Sequence, residues 1–344
     1  MKSALRQAAL AVLRCVLAPI AFLLVVAPIL VLPTVQAQEV RLRVATAYGA
    51  ENFHTRNLQQ FADDLAQATA GKLRLEIYAA GSLLKPQAIF SGVQQGSAEA
   101  GEVIMSSLEK EISLFGLDSL PFIVGSYDDA QRLWEVSRSG VQKALEQRGL
   151  QLLYAVPWPP QNLYARKPVN TMQDFKGLRM RSYNPASERI AELIWATPVP
   201  VQAVELERAI AADKIDLMLT SSGTGVESRA WSRLSYYYRT SAWIPKNVVF
   251  ISKQTLAGMD AETRRKLMLA ADAAEKRGWR LSRESDAGFE AQLLANKMQI
   301  AVLDPLVRRY LDRIGENLAR EWLKKAGNEE LMVLLKYTSA RPAR

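Results

Sequence analysis

The residue of this sequence best suited to bind a small charged molecule is Arg181. Residues 178–181 alternate apolar side chains with arginines, the period of two that is typical of a β-strand. An Asn-Pro pair at 184–185 follows, and this pair predicts the start of a helix. We therefore expect a strand over 177–181 with Arg181 at its carboxyl end, the end that faces the ligand crevice in open α/β sheets.

A guanidinium at that position has a definite chemical use. Its planar fork of donors matches a carboxylate and binds it through two parallel hydrogen bonds. The alternative is a surface arginine that pairs with an acidic neighbour, since charged side chains are mostly solvated. The segment by itself leaves both interpretations open.

A second strand predicts further polar groups in the same crevice. Residues 215–220 form an apolar run that ends in a hydroxyl-rich turn, in which Thr220 and Ser221 come first. If the sheet is parallel, both hydroxyls face the same crevice as Arg181 and can hydrogen-bond to a ligand. The turn could equally be the N-terminal cap of the following helix.

Three ring-bearing residues are further candidates for ligand contact. Trp158 and Trp243 lie in predicted connecting segments, where an aromatic ring can close over a ligand, whereas most other aromatic residues must be core. His54 lies near the end of the first predicted strand, where it either faces the ligand or simply begins a helix.

Most enzymatic and metal chemistry has little support in the sequence. The chain has one histidine and one cysteine, Cys15, which argues against a zinc site. It contains no G-x-S-x-G elbow, glycine-rich phosphate loop or EF-hand pattern, so we expect no catalytic residue, metal or cofactor. An exported enzyme that uses Glu205 or His54 as a base is the alternative to a binding protein.

The charge of the chain suits an anionic ligand. The formal net charge is +9, but basic residues are scattered in short pairs and triplets rather than interleaved with aromatic residues. This distribution excludes nucleic acid as an expected partner, whereas a mild basic excess favours binding of small organic anions.

The N-terminus has the pattern of a secretory signal peptide. Basic residues precede an apolar run over 15–35, and a small-residue motif at 35–37 resembles a cleavage site. We expect residues 1–37 to be removed and the mature chain to be periplasmic. A single membrane anchor is the alternative, since the run is nearly long enough to span a bilayer. The predicted mature chain contains no cysteine and must be stabilised by its core.

Strands and helices alternate along the mature chain at the spacing of βαβ units. This pattern predicts an α/β fold with parallel strands. A run of prolines at 157–160 predicts a crossover between two lobes, and a continuous helical pattern over 261–298 predicts a helix too long for one lobe. The expected domains are an N-terminal lobe (38–157 and 248–285), a C-terminal lobe (158–247 and 286–325) and a tail (326–344) that frays from residue 336.

Several motifs, in order, resemble one known family. Residues 174–181 read Asp-Phe-Lys-Gly-Leu-Arg-Met-Arg, which is similar to the D-x-K-G-L-K-x-R motif of the DctP-type extracytoplasmic receptors of TRAP transporters. The run at 86–96, Leu-Pro-Phe at 120–122 and Pro-Val-Pro at 198–200 continue the resemblance, as do Glu205, 209–216 and 247–253. The resemblance covers nearly all of the mature chain.

The resemblance implies a fold and a function. Two α/β lobes would close around a small organic acid in an interlobe cleft, the family's arginine at Arg181 would hold the carboxylate, and the closed receptor would deliver the ligand to a TRAP membrane permease. A ligand-sensing partner of a membrane histidine kinase would use the same cleft and is a third possible function.

Departures from the family pattern bear on the ligand. Thr220 occupies the position at which many members have a ligand-contacting asparagine. The sialic-acid receptors have a second arginine at about the position of Gln161, and its absence here argues against a sialic-acid-like ligand. We expect Thr220, Ser221 and either Gln161 or Asn162 to position the ligand. The nearby Trp158 and Trp243 suggest a monocarboxylate with an apolar or aromatic body.

Overall fold

The computed structural model describes residues 39–340. The predicted signal peptide therefore lies outside the described residues. Within the described range, no helix combines the length and the apolar character needed to cross a bilayer.

The first lobe is built on a five-stranded sheet with the order β2-β1-β3-β10-β4. Strands β1, β2 and β3 are parallel, whereas β10 runs antiparallel to both β3 and β4. Alternate residues of β10 enter different cores: Val248 and Phe250 pack on one face, Val249 and Ile251 on the other. The strands are β1 (Val40–Thr46), β2 (Leu73–Tyr78), β3 (Ala100–Ile104), β4 (Leu150–Pro157) and β10 (Lys246–Ser252).

The second lobe is built on a six-stranded sheet with the order β11-β9-β5-β8-β6-β7. Its centre also has two buried faces, since Leu217 and Leu219 enter one core and Met218 the other. The strands are β5 (Asn162–Ala165), β6 (Arg179–Ser182), β7 (Thr197–Pro200), β8 (Leu217–Thr220), β9 (Tyr236–Tyr238) and β11 (Gln299–Ala301).

Ten α-helices cover these sheets within residues 39–340. Asn184 caps one of them by accepting a hydrogen bond from the backbone N–H of Ser187, with Pro185 in the first turn, as the Asn-Pro pair predicts. The helices are α1 (Phe53–Ala68), α2 (Ile89–Gln94), α3 (Tyr127–Glu146), α4 (Pro185–Leu193), α5 (Ala203–Ala211), α6 (Ser222–Glu227), α7 (Lys253–Ala257), α8 (Ala261–Ala295), α9 (Pro305–Leu323) and α10 (Asn328–Ser339).

Two chain segments cross between the sheets side by side. The segment 158–161 leads from β4 to β5, as the proline run predicts, and the segment 239–245 leads back from β9 to β10. Backbone hydrogen bonds join them, from Trp158 N–H to Pro245 O (2.8 Å) and from Gln161 N–H to Trp243 O (2.8 Å). The residues predicted to close over a ligand therefore lie in the connection between the lobes.

The long helix α8 packs in both lobes, as expected for a lobe-spanning helix. Leu267 and Ala271 belong to a core of the first lobe, whereas Leu293 belongs to a core of the second. Gly278 marks its closest approach to β4, because a Cβ atom there would lie 2.3 Å from Val156 Cγ2. The glycine is thus needed where the helix passes over the sheet.

We predict that Gly278→Ala lowers the free energy of unfolding by about 1–3 kcal/mol, because the added methyl group forces α8 away from β4. Gly288 in the same helix is the matched control. No described atom lies within 4 Å of a Cβ built there, so Gly288→Ala should raise stability by up to ~1 kcal/mol. Urea unfolding measures both changes, and a Gly278→Ala variant as stable as the native chain would contradict the tight contact.

Three expectations about the fold need correction. The strands are not all parallel, because β5 and β10 enter their sheets from the interlobe crossings and run against their neighbours. The strand that precedes the Asn-Pro turn spans Arg179–Ser182, so it begins two residues later than the predicted strand over 177–181. Gly177 is not part of it because its φ of 74° is incompatible with a β-strand. The tail is not frayed from Lys336: Tyr337 is buried, and its hydroxyl donates to Ile123 O at 3.0 Å. The residue boundaries of the lobes stay a prediction.

Candidate functional site

The parallel register of β6 and β8 gives the two arginines of β6 different surroundings. Met180 lies opposite Leu217 and Arg181 opposite Met218. Arg179 therefore meets Asp216, just before β8, and binds it through Nε (2.7 Å) and Nη2 (2.8 Å). The surface-pair alternative thus describes Arg179, whereas Arg181 lies at the carboxyl end of the strand.

Arg181 is buried without an acidic partner. Only 3% of the residue is exposed. Its Nε donates to Val201 O (3.0 Å), its Nη1 donates to Thr220 Oγ1 (3.3 Å), and its guanidinium lies 4.6 Å from the ring centre of Tyr183. Within residues 39–340 no carboxylate forms an ion pair with it. Burial lowers the pKa of Arg181 to about 10, which leaves the group positively charged at neutral pH.

The guanidinium faces a cavity between the lobes. The cavity is small: it leaves about 40 Å³ for the centres of water molecules, and about 360 Å³ of empty space when its open mouth is included. Four of the predicted site residues line it, namely Trp158, Gln161, Arg181 and Thr220. The remaining lining residues are Tyr48, Ile104, Tyr183, Gln202, Ala203 and Thr224.

Four polar members of this lining are not among the residues predicted from the sequence, although the sequence carried a signal for them. Tyr48, Tyr183, Gln202 and Thr224 follow the ends of β1, β6, β7 and β8 by one to four residues. The rule that placed Arg181, that ligands bind beyond the carboxyl ends of strands, applies equally to them. Extending it past the last strand residue would have found all four.

Gln161 and Tyr183 form a hydrogen-bonded pair at the cavity wall. The Tyr183 hydroxyl donates to Gln161 Oε1 (3.1 Å), while Gln161 Nε2 donates to Pro159 O (2.9 Å). Burial raises the pKa of Tyr183 to about 12, against the opposing effect of the Arg181 charge. The phenol is therefore neutral and held in place over the guanidinium.

On the other wall, Trp158 and Tyr48 share one acceptor. Trp158 Nε1 donates to Asn247 Oδ1 at 2.8 Å, and the Tyr48 hydroxyl donates to the same oxygen at 3.2 Å. Asn247 Nδ2 in turn donates to Glu102 Oε1 at 3.1 Å, and Thr46 Oγ1 donates to Glu102 Oε2. A buried polar network therefore fixes both cavity-lining rings from behind.

His54 lies beside this network and is not among the cavity-lining residues. Its ring centre lies 4.1 Å from that of Phe53 and 4.3 Å from that of Trp158, and its Nδ1 lies 3.5 Å from Glu102 Oε1. Burial lowers the pKa of His54. The imidazole is thus neutral at pH 7 and supports Trp158 from outside the cavity.

The other three predicted contact residues lie outside the cavity lining. Ser221 caps α6 by accepting a hydrogen bond from Thr224 N–H (3.1 Å), which is the helix-cap alternative predicted for this turn. Asn162 donates to Tyr237 Oη (2.6 Å) and accepts from Ser241 N–H (2.9 Å). Trp243 lies fully buried in a core of the second lobe. None of the three is among the lining residues, and direct ligand contact by them stays a prediction.

Hydrogen bonds from two asparagine side chains join the lobes across the cleft. Asn52 Nδ2 in the cap of α1 donates to both carboxylate oxygens of Glu227 in α6, at 2.8 and 2.9 Å. Asn184 Nδ2 in the cap of α4 donates to Ser106 Oγ beyond β3, at 2.9 Å. The lobes are therefore closed over the cavity. In the described part of the chain, no group of three His, Cys, Asp or Glu side chains is placed to hold a metal ion.

Comparison with known proteins identifies the fold and the family. Residues 44–325 match the DctP family, described as bacterial extracellular solute-binding protein, family 7. The crystal structure of DctP7 from Bordetella pertussis, an extracytoplasmic solute receptor binding pyroglutamic acid, is 36% identical with a TM-score of 0.85, over 87% of this chain and 99% of that chain.

Two further relatives agree with this assignment. A marine metagenome TRAP solute-binding protein specific for pyroglutamate is 34% identical with a TM-score of 0.86, over 88% of this chain and 99% of that chain. The 2,3-diketo-L-gulonate-binding periplasmic protein YiaO of Escherichia coli is 26% identical, over 63% of this chain and 67% of its own length. The resemblance drawn from the sequence motifs is therefore confirmed, and the chain belongs to the DctP family of bacterial extracellular solute-binding proteins.

Proposed function

We propose that the cavity around Arg181 binds the carboxylate of a small organic acid. Family membership makes the protein a solute receptor, and one observation carries the location of the site: a buried guanidinium faces an interlobe cavity without an acidic partner of its own. Burying a charge is costly unless it is paired. A ligand carboxylate between the closed lobes supplies that pair in a medium where the attraction is stronger than in water.

We further propose that the acid is pyroglutamate or a close analogue. Two receptors that are 34–36% identical to this chain over nearly their whole length bind pyroglutamate. Aromatic rings of Tyr48, Trp158 and Tyr183 line the cavity, and they suit the apolar edge of a five-membered ring. The small cavity volume also favours a compact monocarboxylate over a sugar acid.

The alternative of an exported enzyme has no support from the site. Glu205 is exposed in the first turn of α5 and is not among the lining residues. His54 is buried among aromatic rings behind the cavity wall. Neither proposed base is among the residues that line the cavity, and the related proteins are receptors.

Delivery to a TRAP membrane permease and a periplasmic location complete the proposal. The related proteins are extracytoplasmic and periplasmic receptors, and the N-terminal signal pattern supports export of this chain. A ligand that binds the closed state more tightly than the open state shifts the receptor towards the closed state. The permease would then recognise the closed, ligand-loaded form.

A thermal-shift panel tests the ligand class. Pyroglutamate, proline, succinate, gulonate and a neutral sugar are added separately at equal concentration to the purified mature protein. We expect pyroglutamate to raise the melting temperature by several degrees, because a ligand at a hundred times its Kd stabilises by about 2.7 kcal/mol. A shift with the neutral sugar and none with any monocarboxylate would overturn the proposal.

A further inference from the structure

The orientation of the buried Asn247 amide is determined by its neighbours. An indole N–H can only donate, so the amide atom 2.8 Å from Trp158 Nε1 must be the oxygen. The nitrogen of the same amide then faces Glu102, to which it donates at 3.1 Å. Asn247 is fully buried, and this arrangement satisfies both ends of its side chain.

This orientation fixes the hydroxyl proton of Tyr48. The Tyr48 oxygen lies 3.2 Å from Asn247 Oδ1, and an amide oxygen accepts but cannot donate. Tyr48 must therefore donate to it, and burial keeps the phenol protonated by raising its pKa. With its proton used in this way, Tyr48 has only lone pairs to offer to another partner.

Tyr48 lines the same cavity as Arg181, from the opposite lobe. It follows the end of β1, whereas Arg181 lies in β6. The charge of Arg181 acts on the Tyr48 hydroxyl, and so does the charge of Glu102 behind it. The wall with Arg181 thus carries hydrogen-bond donors, and the wall with Tyr48 carries a hydroxyl whose proton is already donated, with a carboxylate behind it.

We propose that the Tyr48 oxygen accepts a hydrogen bond from the ligand, so that the site selects monocarboxylates that carry an N–H or O–H donor beside the carboxylate. The inference rests on the proposed binding of a carboxylate by Arg181. A lactam acid such as pyroglutamate meets both requirements through its carboxylate and its ring N–H. A second carboxylate facing Tyr48 would meet a lone pair and the charge of Glu102, which disfavours dicarboxylates.

A pair of ligands tests this without altering the protein. Isothermal titration calorimetry compares pyroglutamate with 5-oxotetrahydrofuran-2-carboxylate, in which a ring oxygen replaces the N–H. We expect the lactam to bind at least about tenfold more tightly, because sites built to bond a polar group reject analogues that lack it. In Tyr48→Phe the two Kd values should agree within about threefold.

Tyr78→Phe is the matched control, since Tyr78 lies in β2 outside the cavity lining, and it should keep the native preference. Equal binding of both ligands to the native protein, or an undiminished preference in Tyr48→Phe, would overturn the role of Tyr48. If both ligands bind equally and Arg181→Met binds neither, the carboxylate site stands and the acceptor role alone falls. If the native protein binds no monocarboxylate, the proposed function falls and this inference with it.

Discussion

Arg181→Met will weaken binding of the carboxylate ligand by about a thousandfold in Kd, equivalent to ~4 kcal/mol. The side chain is buried, carries the only charge among the lining residues, and already donates to Thr220 and Val201. Removing it leaves a ligand carboxylate desolvated and unpaired between the lobes. Calorimetric titration with pyroglutamate measures the loss.

Arg179→Met controls for the loss of an arginine from the same strand. Arg179 is half-exposed and bound to Asp216, so its removal should change stability modestly and leave the Kd within about threefold. Because a buried charge without a counter-charge costs stability, the ligand-free Arg181→Met protein should melt no lower than the native protein. Undiminished affinity in Arg181→Met would place the ligand elsewhere.

Lys246→Met will lower the free energy of unfolding by about 3–5 kcal/mol, because it leaves the Asp118 carboxylate buried and unpaired. The two side chains are only 1% and 3% exposed and form a short ion pair. Lys246 begins β10 opposite Pro157, at the crossing between the lobes. Guanidinium chloride unfolding at neutral pH measures the change.

The pH dependence of that variant provides a second check. Burial raises the pKa of Asp118, so without Lys246 the folded state takes up a proton more readily than the unfolded state. The stability deficit should therefore shrink as the pH falls through the raised pKa. Adding Asp118→Asn removes the charge but keeps an acceptor for the backbone N–H of residue 246, which donates to Asp118 in the native protein. This double variant should recover more than half of the loss. A deficit that is independent of pH would contradict an unpaired carboxylate as its cause.

The sequence could predict the residues that depend on local pattern. Period-two alternation and the Asn-Pro pair located Arg181 and the helix after it, and the apolar run before Thr220 located the second strand of the site. Each of these features is contained in about ten consecutive residues. The lobe-spanning helix was equally visible, because helix-forming residues continue without a proline over its whole length.

The sequence could not predict what depends on register. Arg179 and Arg181 occupy equivalent positions in the alternating pattern of the strand. Only the register of β6 beside β8 places Asp216 next to Arg179 rather than Arg181. Asn247 meets Glu102 and Tyr48 because β10 lies antiparallel to β3, and neither the direction nor the partner of a strand can be read from its periodicity. The sequence also does not distinguish the helix cap formed by Ser221 from ligand contact, since both use the same hydroxyl.

The position of His54 gives the protein a built-in spectroscopic reporter. It is the single histidine of the chain, its ring centre lies 4.3 Å from that of Trp158, and Trp158 lines the cavity. The imidazole carbon-bound protons therefore produce one isolated set of NMR resonances, displaced by the ring currents of the surrounding aromatic rings. Any ligand that shifts Trp158 will move those lines, so occupancy can be followed in unlabelled protein.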